Sequence, residues 1–579
     1  MSKNTLLKGL SALTFLSGLG NAASSCKNIP GDKGWPSSRH WARLNQTVGG
    51  RLIETVPMPS VCHEAPYNAF NQGMCDALRS NWLLAETYVN TPAEVMNGYF
   101  QNQTCDPFTP ADQSCGLGNR ASYSIAVTGA ADVVAGLRFA KQHNIRLVIK
   151  NTGHDFLGKS TGKGSLSLWT HNLKDIDIIP NYKGDSDYRG PAAKLGAGVE
   201  AGEAYPVVGE KGYRIIGGAC PSVGLAGGYT AGGGHGLLNS KYGMAADAVL
   251  EWEVVTPKGE HLVATPKRNS DLYWALSGGG AGTYAVVLSM TTKIFPEGPV
   301  GAGFLSFNVS SVTNTSASAN ETFWQAIGDW FEFMPSFTDG GHTIIWQMSE
   351  SDFRTNSIAV MDKDASALED LMAPYLAKLQ RRGIAYTFES RTDESYFVHA
   401  EKDLGPFPYG EIGTNVQLTT RLIPRAAVLD SKQRPSIMSA IRAATEDQFH
   451  MVGCTALNVK NIKHPDNAVL PAWRDSMAVC LVVGFWDFNI PLDDMLAHKN
   501  HLVDVILPTL EEATPGAGSY LNELDAMYKG DWKQELYGAN YPRLMNIKRK
   551  YDPDSLLYGW TAVGSDLWTT DASGRICKK

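Results

Sequence analysis

The chain has 579 residues, of which 43% are hydrophobic and 19% charged, with a formal charge of -7. That length calls for two or more domains, and so small a net charge, with no block of like charges, argues against nucleic acid or an anionic membrane as a partner. No internal repeat or low-complexity tract occurs, which excludes fibrous and solenoid architectures.

The N-terminus carries Lys3 and Lys8, the apolar run Leu10–Leu16 and small residues at Gly20 to Ala23, the order of a cleaved secretory signal, with cleavage expected near Ala22 or Ala23. No later segment reaches the ~18–20 uninterrupted apolar residues that cross a bilayer, so no membrane span is expected. Asn-x-Ser/Thr sequons at Asn45, Asn102, Asn308, Asn314 and Asn320 fit passage through a secretory pathway and N-glycosylation. Residues 24 to about 115 are rich in Pro, Asn and Cys with little periodicity, and read as an extension stapled to a neighbouring domain.

From Ser122 a β-α-β unit is predicted: a strand over 122–128, an amphipathic helix over 131–143 with Val133, Val134, Leu137 and Ala140 on one face, and a strand over 145–149. It delivers the chain into Lys150-Asn151-Thr152-Gly153-His154-Asp155. A second glycine-dense stretch, Gly217 to Gly243, contains Gly218-Ala-Cys220-Pro-Ser-Val223-Gly224 and Gly232-Gly-Gly234-His235-Gly236. Strands are predicted over 248–255 and 259–265 around the turn Pro257-Lys-Gly259. Residues 301 to about 515 alternate strands (416–423, 479–485) with long helical patterns such as 365–382, an α+β domain. The tail from Tyr520 is helical and aromatic.

Glycines let backbone N–H groups approach a pyrophosphate closely, and each glycine-rich stretch offers one nucleophile. An imidazole at His154 can add to the 8α carbon of an isoalloxazine. A thiol at Cys220 can add to the same ring once surrounding backbone dipoles lower its pKa. Nine cysteines leave one unpaired in an oxidising compartment. Cys220 is taken as that one, and Cys105 and Cys115 bracket a loop they can close; the other connectivities are not readable. Gly280-Ala-Gly282-Thr-Tyr-Ala285 imitates a nicotinamide fingerprint in the wrong order, helix before and strand after, so NAD is rejected.

Together with Tyr242-Gly-Met-Ala-Ala-Asp247, Asp271-Leu-Tyr-Trp-Ala-Leu-Ser-Gly-Gly-Gly280 and Asn540-Tyr-Pro-Arg-Leu544, these motifs resemble the berberine-bridge-enzyme-like branch of the vanillyl-alcohol-oxidase superfamily, close to its secreted fungal isoamyl-alcohol-oxidase-like members. The resemblance spans about residues 26 to 570. It implies a two-domain α+β fold of the PCMH type, with an FAD-binding domain over 116–300, an antiparallel-sheet substrate domain over 301–515, and a C-terminal segment, 516–579, returning to the first; residues 1–22 are the signal and 23–115 the cysteine-containing extension. It implies bicovalent FAD, on His154 through the 8α carbon and on Cys220 through C6, cradled by Lys150, Asn151, Thr152, Gly153, Asp155, Gly158, Ser160, Gly218, Val223, Gly224, Gly228, Gly234, Val286 and Asn540. In the family a valine three residues after the cysteine admits oxygen; here it is Val223, favouring an oxidase that releases peroxide.

Relatives place a tyrosine where this chain has His235, and a carboxylate where it has Asn458. An imidazole titrates near neutrality whereas an amide accepts no proton, so His235 is the candidate base, Asn458 the residue positioning the substrate hydroxyl, and Tyr520 a pocket-lining candidate. Two further departures are a Cys-x-Cys and a Cys-Trp-Pro of relatives that read Cys26-Lys-Asn28 and Gly34-Trp-Pro36 here; the two absent cysteines are inferred to pair with each other in relatives. Ala281 and Ala285 stand in place of glycines. The expectation is a secreted monomer acting on a small-molecule alcohol with O2. The alternatives are oxidation of a carbohydrate, oxidative cyclisation of a secondary metabolite, or a glycoprotein that binds flavin without turnover. A broad aromatic groove would favour sugars, and a closed apolar pocket small alcohols or a metabolite.

Overall fold

The computed structural model describes residues 26–313, 318–411, 413–571 and 573–579. The expected signal segment and the sequon at Asn314 lie outside the described residues.

The predicted β-α-β unit is present as strand Tyr123–Ala126, helix Ala130–Gln142 and strand Arg146–Lys150. Val133, Leu137 and Ala140 bury the helix face against the sheet. At Gly136 a Cβ would stand 2.5 Å from Leu168 Cδ2, so glycine there sets how closely the helix approaches. Asp132 in its first turn accepts from Thr128 N and Oγ1 at 2.9 and 2.8 Å, satisfying groups the entering chain leaves open. The sheet is four-stranded, in the order Leu52–Glu54, Tyr123–Ala126, Ser165–Trp169, Arg146–Lys150.

Its edge strand, Leu52–Glu54, comes from the segment read as aperiodic, which also forms helices Ser38–Thr47 and Gln72–Asn81. The extension is therefore part of the first domain's sheet. Its helices escaped the sequence reading because each buries few residues, Trp41 and Leu44 in one and Cys75 in the other, so the apolar period is nearly empty. The disulfides are Cys26–Cys577, Cys62–Cys75, Cys105–Cys115 and Cys454–Cys480, and Cys220 is free. The first joins the extension to the far end of the chain. Asn28 Nδ2 donates to the Gly34 carbonyl at 3.1 Å, so the two positions where relatives carry the extra cysteines are neighbours here.

A five-stranded antiparallel sheet follows, in the order Ile176–Ile179, Ala192–Gly196, Val286–Lys293, Val249–Val255, His261–Ala264. Val286 opens the central strand after helix Ser270–Leu276, the helix-then-strand order on which NAD was rejected. The second domain is built on a seven-stranded antiparallel sheet: Thr387–Asp393, Val300–Asn308, Asp352–Met361, Thr343–Met348, Met451–Ala456, Ser476–Phe485, Val416–Pro424. Helices Ala319–Thr338 and Ala365–Arg381 cover one face around Trp330, whose ring meets Trp346, Phe353 and Tyr375.

Beyond it the chain returns to the first domain. Helix Tyr541–Tyr551 packs on helix Ser270–Leu276, with Tyr551 OH donating to Asp271 at 2.9 Å. Buried Lys548 donates to the carbonyls of Thr283 and Leu557 at 2.8 and 2.7 Å. Between the domains, Asp247 takes both terminal nitrogens of Arg474 at 2.7 Å, and Thr343 Oγ1 donates to Ser240 Oγ at 3.0 Å. No helix of the described residues is long and apolar enough to cross a membrane.

Candidate active site

Strand Arg146–Lys150 ends in a turn in which Gly153 and Gly158 take positive φ, 97° and 64°, conformations other residues resist. Asp155 shapes that turn: its carboxylate accepts from Leu157 N at 3.0 Å and from Ser160 N and Oγ at 2.7 Å. Lys150 is buried and gives its ammonium to the carbonyls of Tyr88, Thr91 and Thr152, pinning the extension beneath the turn. Burial pushes its pKa down to about 7.

His154 Nε2 lies 2.7 Å from Ser222 Oγ, two residues past Cys220, so the turn bearing one nucleophile rests on the loop bearing the other. Burial, then the Lys150 charge, lower the His154 pKa to about 4, which keeps its ring neutral and nucleophilic near pH 7. Cys220 departs from the expectation: burial, then the Glu523 carboxylate, push its thiol up to about 12. Backbone dipoles in the loop do not outweigh the loss of hydration and the neighbouring negative charge. Val223 N closes this loop on the Cys220 carbonyl at 3.1 Å.

The second glycine-rich stretch wraps around the same place. Gly224 is required by Asn151, whose Nδ2 would be 1.9 Å from a Cβ there and instead donates to the Ala197 carbonyl at 2.7 Å. Tyr205 OH donates to the Gly218 carbonyl at 3.0 Å. Gly234 has φ 75°, and a Cβ on it would meet Ala245 Cβ at 2.7 Å and Tyr229 Cε1 at 2.9 Å. Beside Gly228 nothing stands within 4 Å of where a Cβ would be. This cradle fits a dinucleotide: glycine backbone lines open space, and Asn151 Oδ1 is a buried acceptor that no protein group satisfies.

His235 follows Gly234. Its ring meets Tyr520 edge-on at 4.9 Å and Trp473 at 5.9 Å between centroids, and its Nε2 is 3.4 Å from Glu523 Oε2. Tyr229 OH donates to its carbonyl at 3.0 Å. Tyr520 is buried, and Asn522 Nδ2 donates to its hydroxyl at 2.7 Å and to the Gly228 carbonyl at 2.9 Å. Burial, then Glu523, raise the Tyr520 pKa far above that of a free phenol, so it stays protonated and serves as a hydrogen-bond donor. Around Tyr520 and Trp473 pack Met244, Leu422, Leu457, Val469 and Val479, a buried apolar cluster.

The structure thus brings His154, Cys220, His235 and Tyr520 to one region. Asn458 is engaged elsewhere: its Nδ2 donates to Asp339 at 2.7 Å and its backbone N–H to Ser240. Asn540 donates to the Ala468 and Val469 carbonyls at 3.2 and 3.3 Å, fixing the tail to a second-domain loop. Glu523 and Trp473 were not singled out from the sequence. Glu523 was legible as the acid three residues after Tyr520; Trp473 carried no signal, since it reaches the site from the second domain.

A Ser357–His399–Asp393 run, with Ser357 Oγ to Nε2 and Nδ1 to Oδ2 both 3.1 Å, has the order of a hydrolytic triad. All three residues are at most 1% exposed, and Ser357 also donates to Asp403 at 2.8 Å. No acyl group reaches it, and it fastens helix Tyr396–Leu404 to the sheet.

An FAD-binding-domain family model matches residues 121–265, and a berberine and berberine-like model matches residues 519–559. The chain is 55% identical to the bifunctional decalin synthase calF of Penicillium decumbens, with 100% of each covered. It is 47% identical to the VAO-type flavoprotein oxidase VAO615 of Thermothelomyces thermophilus, with 96% of each covered. The crystal structure of the VAO-type flavoprotein MtVAO615 from Myceliophthora thermophila matches with a TM-score of 0.92 over 96% of this chain and 100% of that one, at 47% identity. Glucooligosaccharide oxidase of Acremonium strictum, whose structure is described for its 6-S-cysteinyl, 8α-N1-histidyl FAD, shares the fold at 16% identity and a TM-score of 0.62, over 77% of this chain and 92% of that one.

Proposed function

Because the chain belongs to the berberine-bridge-enzyme-like branch of the vanillyl-alcohol-oxidase superfamily, a family of FAD-linked oxidoreductases, we propose that it is an exported oxidase acting on an alcohol carbon of a small apolar metabolite. The single observation that carries this reading is the convergence of His154, Cys220 and His235 on one glycine cradle. FAD bound in that cradle would supply the two-electron acceptor for a carbinol hydride and the route by which the electrons reach O2.

The chain's own residues do the rest. His154, held neutral, and Cys220 are the two covalent anchors, the pair of residue types described in the glucooligosaccharide oxidase. His235 removes the hydroxyl proton as the hydride leaves. Tyr520, kept protonated, donates to the substrate oxygen. Met244, Leu422, Leu457 and Val479 pack as a buried apolar cluster around Tyr520 and Trp473. Four disulfides and Val223 support export into an oxidising compartment and reaction with oxygen.

A second reading, oxidative cyclisation of a secondary metabolite, is favoured by the full-length likeness to a decalin synthase. On it, the same oxidation produces a compound that closes a ring in that site. The test is peptide mass mapping of the purified protein followed by a panel of apolar alcohols and sugars under air. Flavin on both His154 and Cys220, with peroxide from apolar alcohols, is the expected result. No peroxide from any compound that reduces the flavin would sink the oxidase reading, and reduction by sugars alone would overturn the substrate class.

A further inference from the structure

We propose that Asn308 carries an N-linked glycan whose first sugars lie in a groove on the second domain's sheet, covering the part of that face which the first domain leaves bare. This rests on the reading of the protein as exported, since glycan transfer takes place in the secretory compartment.

The groove follows from strand alternation. In strand Val300–Asn308 the buried Leu305 and Phe307 belong to the core under helices Ala319–Thr338 and Ala365–Arg381, so Phe304, Ser306 and Asn308 share the opposite face. Ser306 pairs with Arg354 and Asn308 with Asp352, and Arg354 pairs in turn with Gln347. Along strand Thr343–Met348, Ile345 packs against the first domain's core, whereas Gln347, two residues on, is only half-buried. The face thus emerges from the domain contact and ends in a groove of about 700 Å³, lined among others by Phe304, Ser306, Gln347, Asp352, Arg354 and Asn308.

Asn308 opens the sequon Asn308-Val309-Ser310 at the end of its strand. Its carboxamide oxygen accepts from Ser310 Oγ at 2.7 Å, Ser311 N at 2.9 Å and Ser311 Oγ at 3.0 Å. A backbone N–H can only donate, which fixes the oxygen on that side of the amide. Nδ2 donates to none of the described residues. A glycosylated amide keeps its oxygen as an acceptor and uses only Nδ2, so this local cap survives the modification. The fold therefore consumes the half of the amide that the sugar does not need.

The chemistry of the groove matches an N-acetylhexosamine. Half-buried Phe304 offers an apolar surface to the C–H face of a pyranose or to its acetamido methyl. Arg354, Gln347, Asp352 and Ser306 offer the donors and acceptors that its hydroxyls and amide require. Phe304 lies four residues back from Asn308, ~13 Å along the strand, a span that a short oligosaccharide covers. Attachment at the rim also makes occupation of the groove an intramolecular event, which needs only weak contacts.

The transfer balances. Nδ2 attacks C1 of an oligosaccharide held on a polyisoprenyl diphosphate; the N–C1 bond forms, the C1–O bond to phosphate breaks, the amide gives up one proton and the lipid diphosphate leaves. Nothing is oxidised or reduced.

The experiment uses the full-length protein secreted from a yeast host that attaches oligomannose glycans. Tryptic peptides are mapped by mass, and native and denatured samples are treated with an endoglycosidase that cuts within the chitobiose core. Expected is glycan on the Asn308 peptide, trimmed about tenfold more slowly in the native than in the denatured protein, the factor that ~1.4 kcal/mol of sugar–groove contact supplies. Arg354→Ala, a change at an exposed position, keeps the glycan and recovers most of the trimming rate in the native state, and Asn308→Gln loses the glycan altogether. Equal trimming of native and denatured wild type would overturn the placement in the groove. A bare Asn308 in a chain glycosylated at another sequon would overturn the site itself. If no sequon carries glycan, the reading of the protein as exported has failed instead, and the proposal falls with it.

Discussion

Asp247→Asn tests how the two domains are held in register over the flavin cradle. Asp247 is 2% exposed and its carboxylate accepts four hydrogen bonds: two from Arg474 and one from Asn467 at 2.7 Å, and one from Met244 N at 2.9 Å. Burial acts to raise its pKa; Arg474, His464 and Asn467 outweigh burial and hold it below the usual carboxylate range. The amide keeps the shape but removes the charge, and turns an NH2 group toward a guanidinium that has no acceptor role to offer it. Breaking a buried pair costs ~3–5 kcal/mol, and the Arg474 side chain, 17% exposed, recovers some water, which favours the lower figure. At about 2 °C per kcal/mol for large domains, the melting midpoint falls by about 6 °C. The folded pKa lies below the unfolded one, so this stabilisation is present above the unfolded value and is lost as pH falls through the folded value. The gap between wild type and variant, read by scanning fluorimetry, is therefore widest at neutral pH and closes in acid. Arg474→Met and the double variant complete a cycle in which the double costs little more than either single. Equal melting of wild type and Asp247→Asn at neutral pH, or a gap that persists in strong acid, would refute the reasoning.

Gly224→Ala drives a methyl group into Asn151, breaking its hydrogen bond to Ala197 at a cost of ~1–3 kcal/mol, and flavin content per chain falls; full flavin content in the variant contradicts the cradle. Tyr520→Phe slows flavin reduction about tenfold, worth ~1.4 kcal/mol, and leaves the pH profile in place because the phenol does not titrate in range; a displaced profile would mean that Tyr520 is itself the base. Burial raises the Glu200 carboxyl to about 7, above its unfolded value. Its contribution to stability is thus complete below the unfolded pKa and lost as pH rises through about 7. Glu200→Gln accordingly matches wild type in acid and melts higher than it in mild alkali, and a melting curve of the wild type that is flat across that window speaks against it.

The elements that announced themselves were those whose burial follows a period. The β-α-β unit into Lys150, the strand Val249–Val255, the helix Ala365–Arg381 and the strands Val416–Pro424 and Ser476–Phe485 repeat apolar residues at two or at three and four, and each formed where the pattern lay. The extension's helices Ser38–Thr47 and Gln72–Asn81 did not, because so few of their residues are buried that no period exists to read.

For the site, the sequence by itself singled out His154 and Cys220, since a glycine-rich turn and a single unpaired cysteine are properties of local chain and composition. What the tertiary structure decided is which charges stand beside them. Glu523 is 288 residues from His235, and Trp473 comes from the other domain. Burial and the approach of Glu523 move the Cys220 thiol pKa opposite in direction to the local expectation. Asn458 shows the converse, a residue chosen by linear correspondence whose amide is engaged by Asp339. Electrostatics and hydrogen bonding act through space over a few ångströms, so they are written in the fold and not in the spacing of a motif.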